Sequence, residues 1–276
     1  MNSTVLYHGP VCPDGYGAAW AAYLTLGDWA KYIPIDYGDP IPPIDTETVY
    51  ILDFSFPRET MIDLGTKHKV ICLDHHTTAQ TSLEGLQLQS GGEIIFDMTK
   101  SGAMLAWEYF NPHSDAPTLI EYIQDRDLWT WKLPHSREVS AALDLEERTF
   151  QSWSDFALKL VDDESTIVAS GTAVLKYIQG KVNYLASVAQ PKVIGEHTIP
   201  AVYSLILQSE IGERICQLNP DAPFSAIYHD VPGGMKWSLR SNNGFDVSAV
   251  AKLFGGGGHK PAAGFIVKDT IIQGQE

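Results

Sequence analysis

The sequence predicts a two-domain α/β chain: an N-terminal parallel-sheet domain over 1–162, a linker helix over 163–190 and a smaller α/β domain over 191–276. Three observations carry this. Short apolar runs alternate with helical runs through the first half, the signature of a parallel sheet. A long amphipathic period then fills the middle of the chain. Strands gather again after Pro191, two of them joined by the tight turn Pro232-Gly233-Gly234. With 276 residues, 44% of them apolar, the chain has material for two cores.

The first strand, Thr4-Val5-Leu6-Tyr7, runs into His8, and a turn rich in Gly and Pro leads through Cys12 and Asp14 to the helix Ala18-Ala19-Trp20-Ala21-Ala22-Tyr23-Leu24. Asp14 falls at the helix start, where it is either a plain N-cap or a ligand beside His8. Residues 31–35 form a second strand, and Pro40, Pro42 and Pro43 mark a loop. The strand Thr48-Val49-Tyr50-Ile51-Leu52 then ends at Asp53. A helix over 57–66 returns the chain to Val70-Ile71-Cys72-Leu73, which closes on Asp74-His75-His76. Four consecutive apolar residues read as a strand buried on both faces.

Three strands thus end in groups able to bind a metal, and parallel strands end on one edge of their sheet. Such groups repel one another unless a cation gathers them. Neighbouring strand residues face opposite ways, so His75 and His76 take two different jobs. A further strand over 93–96 and an amphipathic helix over 101–110 follow, the latter with aromatics suited to core packing. The helix after Pro117 carries Asp125-Arg126-Asp127; from the residues alone, an Asp–Arg pair on a solvated helix end is the simpler reading.

Apolar positions Ile167, Val174, Ile178, Val182 and Leu185 define the linker helix, weakened at Gly180. Strands near 199–207, 224–228 and 235–240 follow, and Asp246 caps a helix over 247–254 that stops at four glycines. The block Gly255-Gly256-Gly257-Gly258-His259-Lys260 reads either as a flexible loop or as backbone cradling an anion, with Arg240 offering a forked cation to the same anion. The anion cradle is the better reading.

A formal net charge of −15 argues against a non-specific grip on long nucleic acid, which depends on Lys and Arg. A small phosphorylated substrate suits the acidic chain better. No apolar run reaches the roughly 18–20 residues of a membrane span, and the first strand begins too early for a signal peptide. The expectation is a cytoplasmic protein that binds no membrane. Cys12, Cys72 and Cys216 have no paired spacing, and Cys72 belongs to a core strand.

Asp74-His75-His76, Arg240-Ser241, Asp246-Val247-Ser248, Gly256-Gly257-Gly258-His259 and Ala262-Ala263-Gly264, in this order, resemble the DHH phosphoesterase superfamily, in the branch with the first type of DHH-associated C-terminal domain. The likeness covers nearly the whole chain and extends to nanoRNase and exopolyphosphatase-like members. It implies a catalytic DHH domain, a substrate-binding C-terminal domain and two cations, usually Mn2+, with Mg2+ or Zn2+ as alternatives. By this resemblance His8, Cys12, Asp14, Asp53, His75 and Asp125 take the metal positions, with Asp53 bridging and Asp127 a rival to Asp125. The catalytic positions fall on His76, against the scissile phosphate, and on Asp74, which orients its neighbours. Substrate contacts fall on His76, Arg240, Gly256, Gly257, Gly258 and His259.

Cys12 departs from the pattern, since many members carry Asp there. Either that cation is weakly held, or it is a softer metal, or it arrives with substrate. The implied reaction is in-line hydrolysis with two cations about 3.5–4 Å apart. The implied substrates are a short oligonucleotide, a dinucleotide or a nucleoside bisphosphate. The alternatives are an exopolyphosphatase acting on short polyphosphate and, from another class, a catalytically weak nucleotide-binding regulatory protein. A homodimer is compatible with all three.

Overall fold

The structure is a computed structural model and describes residues 2–36 and 38–268. The chain divides into two compact units, 1–175 and 176–276. In the first unit β1 (Ser3–His8), α1 (Pro13–Leu26), β2 (Ala30–Ile35), β3 (Thr48–Leu52), α2 (Arg58–Lys67), β4 (Lys69–Asp74), α3 (Thr77–Leu83) and β5 (Glu93–Phe96) alternate as predicted. The helices α4 (Gly102–Phe110), α5 (Thr118–Asp127), α6 (Ser136–Leu143), α7 (Phe150–Asp162) and α8 (Glu164–Ser187) follow. The strands form a parallel sheet in the order β2-β1-β3-β4-β5.

Period-two alternation explains the burial of both sheet faces. Val5, Tyr7, Ile71 and Leu73 point into one core with α1, α4 and α5, where Trp20 and Trp153 are among the largest fully buried side chains. Leu6, Val70 and Cys72 point into the other, against Met61 and Leu64 of α2. Burying each such side chain contributes about 1.5–3 kcal/mol. β1, β3 and β4 run in register, so His8, Asp53 and Asp74 reach one edge of the sheet.

In the second unit β6 (Gln190–Ile194), β7 (His197–Tyr203), α9 (Gln208–Leu218), β8 (Ser225–Val231), β9 (Gly234–Arg240), α10 (Val247–Leu253), β10 (Gly257–Gly258) and β11 (Ala262–Lys268) build a mixed sheet ordered β10-β11-β9-β8-β7-β6. Asp246 caps α10 by accepting from the Ser248 and Ala249 N–H groups. The unit boundary falls inside α8. Its Ile167 is buried in the first unit's core, and its Val182 and Ala186 in a core of the second.

The 162–165 charge run joins two helices: α7 ends at Asp162, α8 begins at Glu164, and Asp163 accepts from Thr166 N at 3.3 Å. The sequence signal for α7 was present in Thr149 as N-cap and in Trp153, Phe156 and Leu160 at helical spacing.

Trp20 is almost fully buried and donates its indole N–H to Ser154 Oγ at 3.0 Å. Trp20→Ala is expected to destabilise the first unit by about 3–5 kcal/mol in urea denaturation. The exposed Leu158→Ala, on the solvent side of α7, is expected to stay within about 0.5 kcal/mol of the parent.

Candidate metal centre

Asp53 follows β3 with a left-handed backbone, φ 65°, a conformation that a non-glycine residue seldom adopts. Its N–H donates to Leu73 O at 2.9 Å, tying it to the end of β4. The carboxylate is buried and its two oxygens face different groups. His75 Nε2 lies 3.1 Å from Oδ1, whereas His8 Nδ1 lies 3.3 Å and Cys12 Sγ 3.5 Å from Oδ2.

Around this acid the donors sort into two trios, each with ligand atoms within 4.8 Å of one another: His8, Cys12 and Asp53 in one, Asp14, His75 and Asp127 in the other. Asp14 is held by the amino end of α4, accepting from Gly102 N at 2.6 Å and Ala103 N at 2.9 Å, one bond to each oxygen. A helix N-terminus favours a carboxylate at that position. Only glycine suits residue 102, because a Cβ there would lie 2.4 Å from Asp53 Cβ. Cys12 is the N-cap of α1, its sulfur accepting from Gly15 N at 3.4 Å.

The expectation for Asp125 is corrected. Its carboxylate accepts from the Thr130 hydroxyl, Lys132 N and Leu133 N, and so fixes the turn that follows α5. Asp127 reaches the cluster instead, with Oδ2 at 3.6 Å from His75 Nε2. Asp74 closes β4. It is wholly buried and accepts from His75 N, His76 N, His76 Nδ1 at 2.7 Å and Ser55 Oγ at 2.5 Å. These contacts tie the His76 ring to Asp74. The His76 ring stands 4.7 Å from that of His75 and 6.4 Å from that of His8, centroid to centroid.

The donors shift one another's protonation. Burial and the charges of Asp53 and Asp127 push the Asp14 carboxyl well above its usual range. Burial and the neighbouring acids do the same to the Cys12 thiol. Burial alone would lower His75, yet its hydrogen bond to Asp53 and the nearby acids carry it up to about 10. Asp53, although buried, is held well below its usual range by His75 and His8. Three carboxylates, two imidazoles and a thiol share one edge, with Asp14, Asp53 and His75 buried, His8 and Cys12 partly buried and Asp127 exposed, and positive charge there would relieve the repulsion of the acids. The donor set fits two divalent cations.

In the second unit Arg240 ends β9 and donates to Leu239 O at 2.9 Å and Ser209 Oγ at 3.0 Å. The glycine block is not a loose loop. Gly257 and Gly258 pair with Gly264 and Ala263 of β11, and a Cβ at Gly256 would meet Gly264 O at 2.0 Å. His259 follows in a tight turn whose N–H donates to Ala262 O at 2.8 Å. Close backbone packing thus accounts for these glycines without any ligand.

Residues 209–275 match the DHHA1 domain family. Oligoribonuclease NrnB from Bacillus subtilis (strain 168) is 24% identical over 234 residues, covering 74% of this chain and 54% of that protein. The chain belongs to the DHH phosphoesterase superfamily. Asp74-His75-His76 stands at the end of β4, with His75 in one of the trios. The uncharacterized protein R106 of Acanthamoeba polyphaga mimivirus is 31% identical over 285 residues, covering 94% of this chain and 66% of that protein. The chain thus spans 66% and 54% of the length of these two curated relatives. In fold, the DHH chain resembles an exopolyphosphatase-related protein from Bacteroides fragilis, with TM-score 0.52, 15% identity, and 98% and 88% of the two chains covered. Among the described residues no helix is long and apolar enough to cross a membrane.

Mn2+ at about 100 times its Kd is expected to stabilise the chain by about 2.7 kcal/mol, read as a rise in Tm. The rise should shrink as pH falls, because Asp14 and Cys12, both displaced upwards, must release protons to bind. Asp53→Asn, which keeps the left-handed backbone accessible, and Gly102→Ala, which displaces Asp53, should each abolish the rise.

Proposed function

We propose that the chain is a metal-dependent phosphoesterase that hydrolyses a small phosphorylated substrate, such as a short oligonucleotide, a dinucleotide or a nucleoside bisphosphate. The observation that carries this reading is the pair of trios facing the two oxygens of Asp53. Divalent cations held there would supply the positive charge that a phosphoryl group needs when water attacks it. The chain's own groups do the rest. Asp74 accepts a hydrogen bond from His76 Nδ1–H, which orients the ring. Burial opposes a charge on His76, but the Asp74 hydrogen bond and charge raise its pKa, favouring a ring whose Nε2–H donates to a phosphoryl oxygen.

Arg240, Gly256, Gly257, Gly258 and His259 are proposed to contact the non-reacting part of the substrate. The forked guanidinium of Arg240 is the group among them that suits an anion. A small substrate also accords with the formal net charge of −15, which disfavours long polyanions. The name of NrnB supports the oligonucleotide reading. The name of the exopolyphosphatase-related protein from Bacteroides fragilis keeps hydrolysis of short polyphosphate as the second reading.

Mn2+-dependent release of mononucleotide from a linear dinucleotide, exceeding orthophosphate release from triphosphate, is the expected outcome; the reverse order favours the second reading. His76→Ala should lower kcat by about 10²–10³-fold. Asp74→Asn, acting through the residues it orients and above all His76, should lower activity by about 10–100-fold. Turnover unchanged in both variants would refute the assignment, and absence of hydrolysis of any phosphoester by the metal-loaded chain would favour a nucleotide-binding protein.

A further inference from the structure

The two trios at Asp53 are built from different atoms. One presents an imidazole nitrogen, a sulfur and a carboxylate oxygen, from His8, Cys12 and Asp53. The other presents an imidazole nitrogen and two carboxylate oxygens, from His75, Asp14 and Asp127. Thiolate sulfur selects soft and borderline cations, whereas carboxylate-rich sets suit Mg2+ and Mn2+. We infer that the two positions are chemically unequal: His8, Cys12 and Asp53 take a borderline divalent cation such as Zn2+, Co2+ or Fe2+ through the Cys12 sulfur, and Asp14, His75 and Asp127 take a hard one such as Mn2+. This rests on the two-cation reading above and specifies which ion goes where.

The sulfur is held for this role by contacts on both sides. Gly15 N–H donates to Cys12 Sγ at 3.4 Å from the first turn of α1, which keeps the side chain folded over the helix end. The Arg148 guanidinium, 136 residues away in sequence, donates to Val11 O at 2.7 Å and to Cys12 O at 3.4 Å, pinning the backbone of the loop. Sγ consequently stays 3.5 Å from Asp53 Oδ2, on the same oxygen that faces His8. When a cation binds, the S–H bond breaks, the sulfur donates its pair to the ion and the proton passes to solvent.

The test is a titration of the metal-free chain with Co2+, read by its electronic spectrum. The parent chain is expected to develop a near-ultraviolet thiolate-to-cobalt charge-transfer band that saturates with the first equivalent. The band should be absent from Cys12→Ser and Cys12→Asp, both of which keep a good N-cap for α1. Elemental analysis after exposure to equal Zn2+ and Mn2+ should find the two metals together in the parent and Mn2+ enriched in Cys12→Asp. Two bound cobalt ions with no band that depends on Cys12 would overturn the sulfur-selective position while leaving the two-cation reading intact. Failure of the parent and both variants to bind any divalent ion would overturn both.

Discussion

The centre depends on one carboxylate held where backbone geometry disfavours it. Asp53 leaves β3 in a left-handed conformation, and its surroundings compensate: a hydrogen bond to Leu73 O, imidazoles at both oxygens and the amino end of α4 close behind. A strained residue of this kind persists only where its neighbours over-determine it. Here the compensation is also what separates the two donor trios. If Asp53 followed an ordinary extended path, its oxygens would not divide between His75 on one side and His8 with Cys12 on the other.

Much of the first unit's sheet could be read directly from the chain. Buried strands show as apolar runs, and the polar residue that closes each run is conspicuous, so His8, Asp53 and the Asp74-His75-His76 triplet stood out. Register was not needed to see that parallel strands share an edge. The different jobs of His75 and His76 were also legible, because adjacent residues at a strand end diverge: one ring meets Asp53 and the other Asp74.

The choice between Asp125 and Asp127 was not legible. Residues two apart on an α-helix point about 160° away from each other, so one had to face elsewhere, but spacing does not say which. The decision rests on the turn after α5, where the Thr130 hydroxyl and the Lys132 and Leu133 N–H groups claim Asp125. Those partners belong to irregular backbone whose path the sequence does not specify. The glycine block was obscure for a related reason: a run of glycines is compatible with freedom and with tight packing, and only the course of β11 beside it shows the latter.

Helix α8 has a practical consequence for anyone who divides this protein. A fragment that starts at β6 would leave out Val182 and Ala186, and so remove part of the packing around Ile211, Ile215 and Ile227. A fragment that stops at α7 would strip Ile167 from beside the first unit's aromatic core. Neither half owns the helix, so an autonomous version of either one has to carry its own copy of the shared segment.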